Sequence, residues 1–195
     1  MPMAYAIDRD GTVSTLPPPM QIFLLTEGVT IQAALTLAGN LGIADLLAEG
    51  PQTSDWLAQA TSTHPPSLYR VLRLLSSFGV FSEDDPNRFA QTASSELLRT
   101  GTHGSLRSWV QMTGLPVWSQ TFAEALHSVD TGEAALKHVV GAELFESLAV
   151  HPREGTVFSA AMSDSVAGSR RLLCTPTTSP AWGRLSMSVA DMELC

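Results

Sequence analysis

Cysteine is scarce in this 195-residue chain: Cys174 and Cys195 are the only two, both near the C-terminus. They offer no disulfide framework, and a reducing, cytoplasmic setting is expected. Positive charge is short as well, with 11 Lys and Arg against 19 Asp and Glu and a formal net charge of -8. Nucleic acid and anionic membranes are held by clustered basic residues, so neither is expected as a partner. No apolar run is long enough to span a bilayer, and none follows a basic start at the N-terminus, so neither a span nor a signal peptide is expected. The five histidines, His64, His103, His127, His138 and His151, lack the paired spacing of a zinc site. What remains is 44% hydrophobic and 15% charged, the balance of one folded globular domain with a sizeable core.

The order of patterns along the chain predicts a mainly α protein. Residues 1–19 close on Pro17-Pro18-Pro19 and read as a flexible tail, because three prolines remove donors and disfavour helix before them. From Met20 onward Ile22, Phe23, Leu24, Leu25, Val29, Ile31, Ala34, Leu35, Leu37 and Ala38 predict a helix that is apolar around most of its circumference. Such a helix needs cover on more than one side, and a partner subunit is the simplest cover. A short helix over 43–49 ends at Gly50-Pro51, and Thr53 or Ser54 caps another over 55–60. Pro65-Pro66-Ser67 opens a helix carrying Leu68, Val71, Leu72, Leu74 and Leu75 at helical spacing. Val80-Phe81 and residues 88–91 flank the turn chemistry of Glu83-Asp84-Asp85-Pro86-Asn87, which predicts a small β-hairpin. Helical patterns resume over 93–99, 105–113, 118–129, 134–139, 143–149 and 153–166. Helix, helix, then hairpin is the order of a winged helix with a wing.

Five segments carry a more specific likeness: LGIADLLAEGP at 41–51, LYRVLRLLSSFGVF at 68–81, RFAQT at 88–92, TGEAALKHVVGAELFESLAVHP at 131–152 and FSAAM at 158–162. In this order they resemble the N-terminal dimerisation domain of the S-adenosylmethionine-dependent O-methyltransferases of plant and bacterial secondary metabolism, of the caffeate and acetylserotonin type. The resemblance implies a winged-helix dimerisation domain over 20–104, whose first helix intertwines with its twin, and a helical substrate-lid region over 105–168. It implies a homodimer, and an aromatic acceptor of phenolic or polyketide type held by Trp109, Met112, Trp118, Phe122, Phe158 and Met162. Aromatic and thioether side chains suit flat acceptors, although the same residues at helical spacing commonly form core. In this family the methyl donor and the catalytic histidine belong to a second domain. No catalytic residue, cofactor-binding residue or metal ligand is therefore expected in this chain.

After Ser169 neither helical nor strand periodicity is left, and the family's strand and glycine-rich donor loop are missing from the sequence as translated. In a shifted frame Trp182-Gly183 must encode glycine, and so must Met192-Glu193; with permitted codons elsewhere, 176–195 reads YDFSGLGSVVDVGGGHGAL. Residues 169–195 are accordingly expected to be an unstructured tail produced by a frameshift; a true short variant is the rival. Two other functions remain open. A winged-helix DNA-binding regulator would present Arg70, Arg73 and Arg88, but Glu83, Asp84 and Asp85 share the wing and would repel phosphate. A stand-alone dimerising ligand-binding protein would keep the pairing surface without the chemistry.

Overall fold

The computed structural model describes residues 5–7, 13–15 and 17–174, with side chains over 17–164. The stretch expected to be a flexible tail holds two strands, β1 (Tyr5–Ile7) and β2 (Val13–Thr15), paired antiparallel with Tyr5 opposite Thr15. Tyr, Ile, Val and Thr are residue types that strands favour. Helix α1 (Pro18–Thr26) also begins inside that stretch. Proline suits the first helical position, where its missing N–H would have had no partner.

The apolar helix expected from Met20 is two helices. α1 gives way at Glu27 to α2 (Gly28–Leu41), with a bend of 42° between them. α1 buries no side chain, whereas α2 buries Ala34, Ala38 and Gly39. Among the described residues no single helix is long and apolar enough to cross a membrane. Gly42, at φ +66°, ends α2 in the left-handed region open to glycine and leads into α3 (Ile43–Leu46).

β3 (Gln52–Thr53) then enters α4 (Ser54–Thr61), capped by the Thr53 hydroxyl, which accepts from the Trp56 N–H at 3.2 Å. α5 (Pro65–Ser77) leads into β4 (Phe81–Asp85) and β5 (Arg88–Gln91). The strands lie in the order β3-β5-β4, all antiparallel. The hairpin was expected; its third strand was not, because two residues are too few to show a pattern. Asn87, at φ +69°, makes the turn, and its carbonyl accepts from the Ser54 N–H at 3.0 Å, so the wing also holds the start of α4. Asparagine is one of the few residues that tolerate this backbone.

Ile43, Leu47, Leu57, Leu72, Leu75, Phe81 and Phe89 fill the core, each no more than 2% exposed. They come from α3 and Leu47 just after it, α4, α5 and the sheet, and α2 adds Ala34 and Ala38. This is a winged helix, as the pattern predicts. On α5, Arg73 donates to the Tyr69 hydroxyl at 3.1 Å and lies over the same ring, so its guanidinium is engaged within its own helix.

The remaining chain is helical: α6 (Ala93–Glu96), α7 (Arg107–Thr113), α8 (Pro116–Ala123), α9 (Ala125–Thr131), α10 (Ala135–Val140), α11 (Leu144–Val150) and α12 (Pro152–Cys174). The helix expected over 118–129 is interrupted at Glu124 and becomes α8 and α9. α12 runs past Ser169, where an unstructured tail was expected. Arg170, Arg171, Leu172 and Leu173 are good helix formers, and Pro176 disfavours helix at the residue before it. The rest of the expected tail, with its shifted-frame reading, lies outside the described residues.

Candidate functional site

Three contacts seat the later helices on the winged helix. The first lies between α2 and α7, where Gln32 donates to the Thr113 carbonyl at 2.5 Å and Thr36 to the Val110 carbonyl at 3.2 Å. The second is the contact of Gly114, just after α7, with Thr36: a Cβ built there would lie 2.2 Å from the Thr36 side chain. The third is an ion pair. Asp45 on α3 accepts from the Thr100 N–H and hydroxyl, both at 2.8 Å, and from the Arg107 guanidinium at 2.5 Å. Arg107 also donates to the Thr100 hydroxyl.

Partial burial pushes the Asp45 carboxyl up, but the hydrogen bonds from Thr100 and the charge and hydrogen bond of Arg107 outweigh it and hold it below its ordinary value of 3.8. A lowered carboxylate contributes stability that is complete above the unfolded value and lost as the pH falls through the folded one. Asp45→Asn is therefore expected to cost about 1 kcal/mol near neutrality, a modest figure because the side chain is 35% exposed. Urea unfolding across a pH series should show the difference from wild type constant above about pH 5 and shrinking below pH 4. A difference that did not change with pH would show that the Asp45 charge is not what ties α3 to α7.

Beyond this seam α11 and α12 form an open apolar groove of about 740 Å³. Phe145, Leu148 and Ala149 line it from α11, and Gly155, Phe158 and Met162 from α12. None of the nine lining residues is charged. The Phe145 and Phe158 rings meet edge to face, with centroids 6.2 Å apart and planes at 90°. Gly155 lets the helices close: a Cβ there would come within 3.0 Å of the Leu148 carbonyl oxygen. A concave, uncharged wall with aromatic edges and a thioether can hold a flat ligand by contact area, with little polar discrimination.

Of the six side chains expected to line a pocket, Phe158 and Met162 are in this groove. The other four are not among its lining. Met112 is 5% exposed within the packing of α7, and Trp109, on the same helix, is 38% exposed. Trp118 on α8 is half-buried, with its indole N–H in the interior and no hydrogen-bond partner. Phe122, at 63% exposure, stands on the surface of α8. Phe145 was missed, although Phe145, Leu148 and Ala149 have the three-four spacing of one helix face. His127 and His138 stack at 4.2 Å, a pairing that local sequence does not show.

Comparison with known proteins gives a consistent result. Residues 23–101 match the model of the O-methyltransferase dimerisation domain. The phenazine O-methyltransferase PhzM of Lysobacter antibioticus is 40% identical over 155 residues, covering 80% of this chain and 45% of that protein. The crystal structure of LaPhzM superposes with a TM-score of 0.73 at 37% identity, covering 77% of this chain and 45% of that one. NcsB1, an O-methyltransferase from neocarzinostatin biosynthesis solved with S-adenosylmethionine and 2-hydroxy-5-methyl naphthoic acid, gives 0.58 at 30% identity, covering 69% of this chain and 42% of its own. The chain thus spans less than half the length of the relatives it matches. With the winged helix, the exposed first helix and these matches together, the chain carries the dimerisation domain of the O-methyltransferases.

Proposed function

We propose that this chain is the pairing and acceptor-shielding part of an S-adenosylmethionine-dependent O-methyltransferase that acts on a planar, hydroxylated aromatic metabolite. The observation that carries the acceptor class is the uncharged groove, with Phe145 and Phe158 edge to face and Met162 beside them. The observation that carries the pairing is α1, which buries no side chain while Met20, Ile22, Phe23 and Leu25 are all more than half exposed. Two copies related by a two-fold axis cover such helices twice over. In methyl transfer the acceptor oxygen must meet the sulfonium carbon in line, so a wall that fixes the ring plane contributes to rate through positioning. The relatives act on phenazine and hydroxybenzoate rings by name, which agrees with a flat acceptor.

The donor is held elsewhere in this reading. The resemblance to the family is what supports this: there the donor lies in a second domain, with a glycine-rich loop of Rossmann type. We further propose that 169–195 are a frameshift product, within which 176–195 correspond to the family's strand and loop; sequencing the coding DNA for VDVGGG in the alternative frame tests this directly.

Sedimentation equilibrium and calorimetry test the main proposal. The chain should sediment as a dimer, release no heat with S-adenosylmethionine, and bind a hydroxynaphthoate through the groove, with Phe158→Ala weakening that binding about tenfold or more. Donor binding by the chain, or acceptor binding indifferent to Phe158, would overturn the respective assignment.

A further inference from the structure

We propose that the Ser159 hydroxyl selects flat ligands that carry an uncharged hydrogen-bond acceptor, a ring nitrogen or a ring carbonyl, on the edge that faces α12. The inference rests on the acceptor reading of the groove between α11 and α12 and adds which planar molecules that groove prefers. Phe145, Phe158 and Met162 hold a ring by contact area, which barely distinguishes one flat molecule from another. Discrimination needs a polar group that the right ligand engages and the wrong one strips of water.

Two side chains in the lining carry such a group, Thr156 and Ser159. The Thr156 hydroxyl donates to the Pro152 carbonyl at 2.9 Å, so its hydrogen is spent inside its own helix. Ser163, the third hydroxyl among the described side chains of α12, donates in the same way to the Ser159 carbonyl at 2.9 Å. Such back-bonding is a common habit of serine and threonine within helices. Ser159 departs from it. Among the described residues its hydroxyl has no protein partner, and the side chain is exposed. The other seven lining residues are Phe, Leu, Ala, Pro, Gly and Met, whose side chains have no polar hydrogen. Ser159 is therefore the one side-chain donor open to a ligand in this groove.

Its position suits the task. Gly155, Phe158, Ser159 and Met162 follow three-four spacing along one side of α12. Helical side chains lean toward the N-terminus, which brings Ser159 over the turn of Gly155, where no side chain covers it. The hydroxyl thus borders the surface that Phe158 and Met162 offer to a ring. No lining residue is charged, so a neutral donor is matched by a neutral acceptor. An exposed hydroxyl is hydrated in the free chain. A ring that covers it with C–H removes that hydrogen bond, whereas a ring nitrogen or carbonyl replaces it.

Isosteric probes isolate the effect. Each hydroxyquinoline isomer is titrated into the chain by calorimetry beside the naphthol of the same shape, which has C–H in place of the ring nitrogen. The proposal expects at least one hydroxyquinoline to bind about fivefold more tightly than its naphthol. It expects Ser159→Ala to erase that preference while naphthol affinity stays within about twofold, which also shows that the variant keeps its groove. A preference that survives Ser159→Ala, or a loss shared equally by both ligands, overturns the selection and leaves the groove standing as an acceptor site. The absence of a preference for any isomer in the wild-type chain overturns it in the same way. If neither ligand binds, or if Phe158→Ala weakens neither, the acceptor reading itself fails and this inference falls with it.

Discussion

Phe89→Ala is expected to destabilise the winged helix by about 3–5 kcal/mol. Phe89 is fully buried on β5, the strand with neighbours on both sides: Gln52 of β3 faces it across one ladder and Glu83 of β4 across the other. Its ring also meets that of Tyr69 on α5, with centroids 6.0 Å apart and planes at 60°. Truncation therefore removes apolar burial and leaves a cavity where the sheet, α5 and the rest of the core converge. Surrounding side chains can relax little, because Leu72, Leu75 and Phe81 are already close to fully enclosed. Phe89→Leu keeps most of the volume and should cost less than half as much. Urea midpoints at one fixed protein concentration measure both, since any assembly shifts apparent stability by mass action. A loss below about 1 kcal/mol for Phe89→Ala would mean that the sheet is not packed as described.

Gly114→Ala is expected to cost about 2–3 kcal/mol for adding one methyl group. The backbone at Gly114 is ordinary, with φ -88°, so no conformational strain is involved. The obstacle is Thr36 on α2: the new Cβ would meet its Cγ2 and Oγ1 at 2.2 Å and its Cβ at 2.7 Å. Threonine in a helix has two rotamers to choose from, but turning χ1 does not move the Thr36 Cβ, which is itself 2.7 Å from the added methyl. The seam must therefore open, and the Thr36 and Gln32 bonds to the carbonyls of Val110 and Thr113 lengthen with it. A double-mutant cycle isolates the clash. Thr36→Ala alone loses one hydrogen bond, about 1 kcal/mol, whereas in the Gly114→Ala background it should recover part of the loss. Additive losses would show that the two residues do not touch.

The parts of the fold that were legible in the sequence are those set by local pattern. The spacing of Leu68, Leu72 and Leu75 identifies α5 and its buried face, and Thr53 marks the start of α4 three residues before the N–H it accepts. Phe158 and Met162 were expected from the resemblance of FSAAM, not from spacing; four residues apart on α12, they line one groove. What escaped depends on distance or direction. Asp45 and Arg107 are 62 residues apart, and nothing near either one announces the other. The break between α1 and α2 is hidden because apolar residues continue on both sides of Glu27. Trp109, Met112, Trp118 and Phe122 have the side chains a pocket would use, but residue type does not reveal where a helix points them. β1, β2 and β3 are each three residues or fewer, shorter than any alternation that could be counted.

The strand order of the wing has a consequence for colloidal behaviour. β4 is an outer strand, and its free backbone groups would otherwise invite a strand from another molecule to continue the sheet. Glu83, Asp84 and Asp85 occupy that rim in succession. An incoming β-rich segment would have to bring backbone groups against three adjacent carboxylates. The β4 edge thereby resists runaway strand addition, while the hydrophobic helix α1 remains exposed.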